Sequence, residues 1–276
     1  MTVREAYLFA LSHLSEYEVR IIFEELWGYH RLALMDRAGE EWTEEKQCRL
    51  TDVLQKRRQG VPLQYILGKW TFMGRDFYVG PGVLIPRDDT EVAVRECMDE
   101  LTAFSSPTVM DLCAGSGIIA ITLAKAIPGA TIIAVEKEPK AFAYLEKNIR
   151  LHRADNVTAV CGDIFQYHQK VEDETIDGII SNPPYIRSGE METLQTEVRF
   201  EPVTALNGGK DGLDFYRCLA KDWTKKLRYG GSMTLEIGED QATSVRQLLC
   251  DNGMSNVRVV KDIQGLDRVI FGTKKQ

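Results

Sequence analysis

Five consecutive residues, Ser181-Asn182-Pro183-Pro184-Tyr185, carry the most specific chemistry in the chain. Asn182 offers a side-chain carbonyl and Pro183 a backbone carbonyl, two acceptors on adjacent residues. The two prolines fix φ and stiffen the loop, so the acceptors are set before anything binds. This arrangement suits an uncharged, planar NH2 group. Both N–H bonds can be accepted while the nitrogen is held in line with an electrophilic carbon. Such a nitrogen is a poor nucleophile because its lone pair is delocalised, so positioning and an activated donor must drive the reaction. No strong base is needed, since the proton leaves after the displacement. Tyr185 adds a flat face on which an amide can stack. In isolation an Asn-Pro-Pro segment is as often a plain turn, so its weight comes from where it falls in the chain.

Upstream, Asp111-Leu112-Cys113-Ala114-Gly115-Ser116-Gly117 joins a strand-like run to a helix-like one. Gly115 and Gly117 remove side chains where a ligand would touch backbone. N–H groups at the following helix start favour an anionic or polar ligand end. Gly115-Ser116-Gly117-Ile118-Ile119-Ala120 also fits the glycine pattern of dinucleotide sites, and Glu136 at the end of the next strand would accept ribose hydroxyls in either case. Asp111 helps to separate the two ligands. A carboxylate beside the turn suits a cation, such as the sulfonium and amino group of S-adenosylmethionine, and is awkward beside a pyrophosphate. Asp163, in Gly162-Asp163-Ile164-Phe165, ends the third strand, where a carboxylate can hold an adenine amino group. A phosphate loop is excluded, because no Gly-Lys-Ser/Thr follows the turn.

The elements that must position these residues alternate. Strands are predicted over 108–112, 131–136, 157–161, 176–181, 231–237, 257–261 and 268–272. Helices are expected over 88–104, 116–127, 139–153, 212–227 and 241–252. Repeated β-α units make a mostly parallel sheet covered on both faces. The helix-free link between the last two strands predicts an antiparallel hairpin at the sheet edge. Ligands of such sheets bind at the carboxyl ends of the strands, where both motifs fall. Residues 1–68 read as a small helical bundle: Ser15 with Glu18 is a capping box for a helix to about Leu26, and Thr43 starts another that closes near Gly60. Residues 69–86 read as a β-hairpin connector with its turn at Gly74-Arg75-Asp76, and 87–276 form the α/β domain. Asp88 and Glu91 can pair to cap the helix that follows.

The 276 residues carry a net charge of −7, which repels a phosphate backbone unless a local basic patch exists. Lys56-Arg57-Arg58, Lys225-Lys226 and Lys274-Lys275 are too short for a large nucleic-acid footprint. The six cysteines and four histidines are scattered without metal-ligand spacing, so no metal is expected. Reduced thiols, no signal peptide and no apolar stretch near the ~20 residues that span a bilayer lead to a cytoplasmic protein with no membrane contact, expected as a monomer.

At these motifs the chain resembles the release-factor glutamine methyltransferases, the HemK/PrmC family. Gly60-Val61-Pro62-Leu63-Gln64-Tyr65-Ile66-Leu67-Gly68, Val83-Leu84-Ile85-Pro86-Arg87-Asp88-Asp89-Thr90-Glu91 and Arg199-Phe200-Glu201-Pro202 resemble further segments of that family. The resemblance runs from about residue 60 to 272. It implies a helical substrate-recognition domain, a hairpin and a seven-stranded, Rossmann-like class I methyltransferase domain. It implies methylation at N5 of the glutamine in the Gly-Gly-Gln loop of peptide chain release factors, with S-adenosylmethionine as donor and S-adenosylhomocysteine as product. Carried over by position, Cys113, Ala114, Gly115, Ser116, Gly117, Glu136, Asp163 or Ile164, and Asn182 would form the cofactor pocket. Asn182, Pro183, Pro184 and Tyr185 would meet the amide, with Phe200, Glu201 and Pro202 in the substrate pocket. Departures are Asp88 for proline, Asp89 for glutamate, Cys113-Ala114 for Gly-Thr and Glu136 for aspartate. Arg87 has a simpler reading as the partner of a carboxylate.

The Asn-Pro-Pro-Tyr motif is shared with enzymes that methylate N6 of adenine. These must extrude a base and grip phosphates, which an acidic chain with a small helical domain is poorly built to do. A nicotinamide-dependent oxidoreductase would leave Asn182 to Tyr185 without a role. A scaffold that binds cofactor without catalysis would not need the amide-gripping acceptors.

Overall fold

The computed structural model describes residues 1–275 as two compact units. One comprises Met1–Lys69 together with Gln195–Phe200; the other runs from Trp70 to Leu194 and resumes at Glu201.

The helical unit contains α1 (Val3–Leu11), α2 (Glu16–Trp27), α3 (Arg31–Asp36), α4 (Glu44–Arg58) and α5 (Leu63–Leu67). Ser15 and Glu18 form the expected capping box at the start of α2, and Gly28 ends the helix in the left-handed region. Thr2 and Glu5 form a second capping box on α1. Thr43 caps α4, whose last turn holds Lys56, Arg57 and Arg58 against the carbonyl end of the dipole. Phe23, stacked on Trp42 with ring centroids 5.2 Å apart, anchors the core. Arg57 fastens Gln195–Phe200 into this unit, bonding Glu18 at 2.6 Å and Glu197 at 2.7 Å.

The hairpin pairs β1 (Lys69–Phe72) with β2 (Arg75–Tyr78). Its turn is Met73-Gly74, with φ of 46° and 74°, so Arg75 and Asp76 belong to the strand rather than to the turn expected there. Two left-handed residues match the twist of paired strands. Asn148 clasps β2, accepting the Tyr78 N–H at 2.8 Å and donating to the Tyr78 carbonyl at 3.0 Å.

The α/β unit is a seven-stranded sheet built from β3 (Thr108–Leu112), β4 (Thr131–Glu136), β5 (Val157–Cys161), β6 (Ile176–Ser181), β7 (Leu227–Glu236), β8 (Met254–Lys261) and β9 (Asp267–Lys274). The order is β5-β4-β3-β6-β7-β9-β8, parallel except for β9, which is antiparallel to both of its neighbours at that edge. The helices are α6 (Thr90–Leu101), α7 (Ile118–Ala126), α8 (Pro139–His152), α9 (Ile164–Tyr167), α10 (Asp214–Cys218) and α11 (Ala242–Asp251). Every residue of β6 is buried, as a central parallel strand requires. Alternate residues feed two cores: Val109 and Ile180 enter one, Met110 and Ile179 the other.

Two local expectations are corrected. Asp88 and Glu91 form no capping pair: α6 starts at Thr90 without a side-chain cap, and the Glu91 carboxylate bonds Arg95 instead. The helix expected over 212–227 is divided into α10, a π-helical turn at Leu219–Trp223 and a 3-10 turn at Thr224–Lys226. The wide turn coincides with complete burial of Trp223, whose indole N–H reaches the Ile164 carbonyl at 3.1 Å.

Candidate active site

The chain runs outward from β3 to β5 and then returns to lay β6 against the other side of β3. This is the switch point at which open α/β sheets bind ligands. Leu112 and Ser181 are paired in register, so the glycine turn and the Asn-Pro-Pro loop leave the sheet side by side. Ser181 Oγ donates to the Leu112 carbonyl at 2.5 Å, tying the two exits together.

A cavity of about 300 Å³ opens there. Cys113, Ala114, Gly115, Ser116, Glu136, Asp163, Ile164, Asn182, Pro184 and Pro202 all line it. Gly115, at φ 56°, is the position that keeps it open: a Cβ there would have nothing within 4 Å except Val83 at 3.9 Å. Cys113 also has a left-handed φ, 65°, an uncommon conformation for a residue with a Cβ. Glu136 is buried and its Oε2 accepts the Gly115 N–H at 2.7 Å while Oε1 accepts that of Glu138 at 2.7 Å. Burial raises its pKa, and these N–H bonds oppose the shift. Each oxygen keeps acceptor capacity for a hydroxyl. Apolar Val83, Ile119, Ala141 and Ile164 form flat walls beside it. An open glycine, a carboxylate beside it and apolar walls fit an adenosyl group with a polar tail.

Six of the predicted site residues lie off this wall. Asp111 is fully buried, with Oδ2 accepting the Ala120 N–H at 3.0 Å. It stiffens the turn from behind and does not face the cavity. Gly117 serves the turn itself: its φ of 84° favours glycine, and a Cβ there would also lie 2.5 Å from Leu145 Cδ1. Pro183 is buried, and half-buried Tyr185 packs against a hydrophobic core and is not among the residues that line the cavity. Phe200 falls in the helical unit. Glu201 is a strut: it accepts the Ile85 N–H at 3.0 Å and pairs with Arg87, fixing the Val83–Pro86 wall.

The loop is held from behind. Gln241 Nε2 donates to the Tyr185 carbonyl at 3.0 Å and to that of Gly212 at 3.2 Å. A Cβ on Gly208 would lie 2.7 Å from the Pro184 carbonyl oxygen. Asn182 itself donates through Nδ2 to Thr90 Oγ1 at 3.2 Å, and Thr90 donates to Glu236 Oε2 at 2.6 Å. Thr90 and Glu236 were not among the residues expected at the site. Thr90 sits inside the Val83–Glu91 segment, but nothing local connects it to a glutamate 146 residues away.

Asp111 gives a prediction for stability. Burial, with Glu136 nearby, pushes its pKa up to about 8, despite the bond from Ala120. Its protonated form is therefore favoured by folding. That contribution is complete below the ordinary carboxylate range and is lost as pH rises through about 8. Asp111→Asn keeps an acceptor for Ala120 and does not titrate. Unfolding measured across this range should show a shallower fall in stability for the variant; identical slopes would contradict the assignment.

The comparisons with known proteins agree with this geometry. The family described as methyltransferase small domain matches residues 86–204, and that described as PrmC N-terminal domain matches residues 6–68. The release factor glutamine methyltransferase of Geobacter sulfurreducens is 39% identical over 89% of this chain and 84% of its own. That of Moorella thermoacetica is 37% identical over the full length of both. Among solved structures, a methyltransferase from Pyrococcus furiosus shares the fold, with a TM-score of 0.55 at 19% identity, covering 85% of this chain and all of that one. The chain thus belongs to the release factor glutamine methyltransferases, enzymes that depend on S-adenosylmethionine.

Proposed function

We propose that the chain methylates N5 of the glutamine in the Gly-Gly-Gln loop of peptide chain release factors, as a monomer in the cytoplasm. The observation that carries this reading is the tether on Asn182. Its Nδ2 is committed to Thr90, which leaves Oδ1 at the cavity wall to accept an amide N–H. In this reading the second acceptor is the backbone carbonyl of Pro183, whose ring is buried off the cavity wall, and Pro184 stiffens the loop. A neutral amide satisfied in this way is held without being deprotonated, with its nitrogen aimed at the methyl donor. Glu136 would hold the ribose hydroxyls, Asp163 or Ile164 the adenine, and the backbone from Cys113 to Gly117 the polar tail. S-adenosylmethionine, when bound, supplies a methyl group activated by its sulfonium. The amide proton passes to solvent after transfer, so no residue of the chain is required as a strong base.

Purified protein given methyl-labelled S-adenosylmethionine should label a release factor, and replacing the glutamine of that factor's Gly-Gly-Gln loop should abolish the label. Label that persists on the altered factor, or that requires DNA, would end this reading.

A further inference from the structure

We infer that Thr90 and Glu236 are positioning residues that dictate which way the Asn182 side-chain amide faces. The inference rests on the proposed role of Asn182 as an acceptor for the substrate amide. An ionised carboxylate only accepts hydrogen bonds, and a hydroxyl has one proton to give. Thr90 spends that proton on Glu236 Oε2 at 2.6 Å. Its oxygen can then meet Asn182 only as an acceptor, so the group opposite it, at 3.2 Å, is Nδ2. The carbonyl Oδ1 is thereby turned the other way. Were the amide flipped, Asn182 would present N–H groups to the N–H groups of the substrate, and both acceptor and alignment would be lost.

Thr90 and Glu236 are each 1% exposed, so water is a poor substitute for either partner. The carboxylate lies at the end of β7, at the same carboxyl end of the sheet as Asn182 after the parallel neighbour β6. The charged and titratable groups that face it are Arg268, Asp89, Arg87 and Tyr185, and the Tyr216 hydroxyl donates to its backbone carbonyl. Burial pushes Glu236 up to about 7, while the Thr90 bond, Arg268 and Arg87 pull it down and Asp89 adds to the rise. Protonated Glu236 can donate to Thr90 instead. That frees the hydroxyl proton for Asn182 and favours the flipped amide. Turnover therefore requires the ionised form and rises with pH through neutrality.

The test uses the full chain, a release factor and S-adenosylmethionine, with kcat and KM followed from below to above neutral pH. Thr90→Val should lose about tenfold or more in kcat, with KM for the release factor and S-adenosylhomocysteine affinity little changed. Thr90→Ser, which restores the hydroxyl, should regain most of the rate. Glu236→Gln cannot ionise and should lose the acid limb seen in the wild type. Wild-type kcat in Thr90→Val would overturn the inference, as would an acid limb that is unchanged in Glu236→Gln or missing from the wild type. If Thr90→Val fails to bind S-adenosylhomocysteine, and so has not folded, the Glu236→Gln profile decides alone. A wild-type chain that labels no release factor would instead strike the functional reading on which the inference rests.

Discussion

Replacing Asn182 by alanine should lower turnover by about 10²-fold or more while S-adenosylhomocysteine binding stays within a few-fold. The side chain contributes one of two acceptors for a nitrogen that has no intrinsic nucleophilicity to spare, so its value lies in the transition state. Loss of the side chain also frees Thr90 Oγ1 from its Nδ2 partner, but leaves Gly115, Glu136 and the apolar walls of the cavity in place. Single-turnover methyl transfer with bound cofactor separates the two effects. A variant with normal turnover would remove Asn182 from the mechanism.

Gly212→Ala should be nearly as damaging, although Gly212 does not line the cavity. Gly212 has φ 75°, and a Cβ there would lie 2.4 Å from the Tyr185 carbonyl oxygen and 2.6 Å from Gln241 Nε2. The obstacle is backbone, which has no rotamer to escape to, and the Gln241 bond that holds Tyr185 would be broken as well. The Asn-Pro-Pro loop would be displaced, with an expected loss of about 10- to 10²-fold in kcat and about 1–3 kcal/mol in stability. Gly189 lies in the same long connection with nothing within 4 Å of a Cβ and no left-handed φ. Gly189→Ala is thus the control that should keep both rate and melting temperature. Equal behaviour of the two variants would show that the loop is not buttressed from behind.

The sheet was legible because its central strands are buried and carry short apolar runs, such as Ile132-Ile133-Ala134-Val135 in β4. Helix starts at Ser15 and Thr43 were legible because capping is a local bond between residues three apart. The Asn-Pro-Pro loop and the glycine turn could be recognised by residue type, and the in-register pairing of Leu112 with Ser181 places them together. What escaped the sequence was long-range. The Thr90–Glu236 bond joins a helix start to the end of a strand far along the chain. The capture of Gln195–Phe200 by the helical unit depends on Arg57 meeting Glu197 across 140 residues. Glu201 reads as a polar loop residue, yet it is buried because Arg87 and the Ile85 N–H compensate its charge. By chemical type, Tyr185 and Asp111 point toward a ligand. Side-chain direction, which spacing alone does not give for a loop or a strand end, buries Asp111 completely and packs the partly buried Tyr185 against a core.

A crystal structure of the chain with S-adenosylhomocysteine and a release factor is the most direct measurement of how the amide is held. The glutamine side chain of the Gly-Gly-Gln loop should enter beside Gly115, its NH2 bonded to Asn182 Oδ1 and the Pro183 backbone carbonyl, with Asn182 Nδ2 still on Thr90. A glutamine bound elsewhere, or an Asn182 amide turned to offer its N–H groups to the substrate, would contradict it.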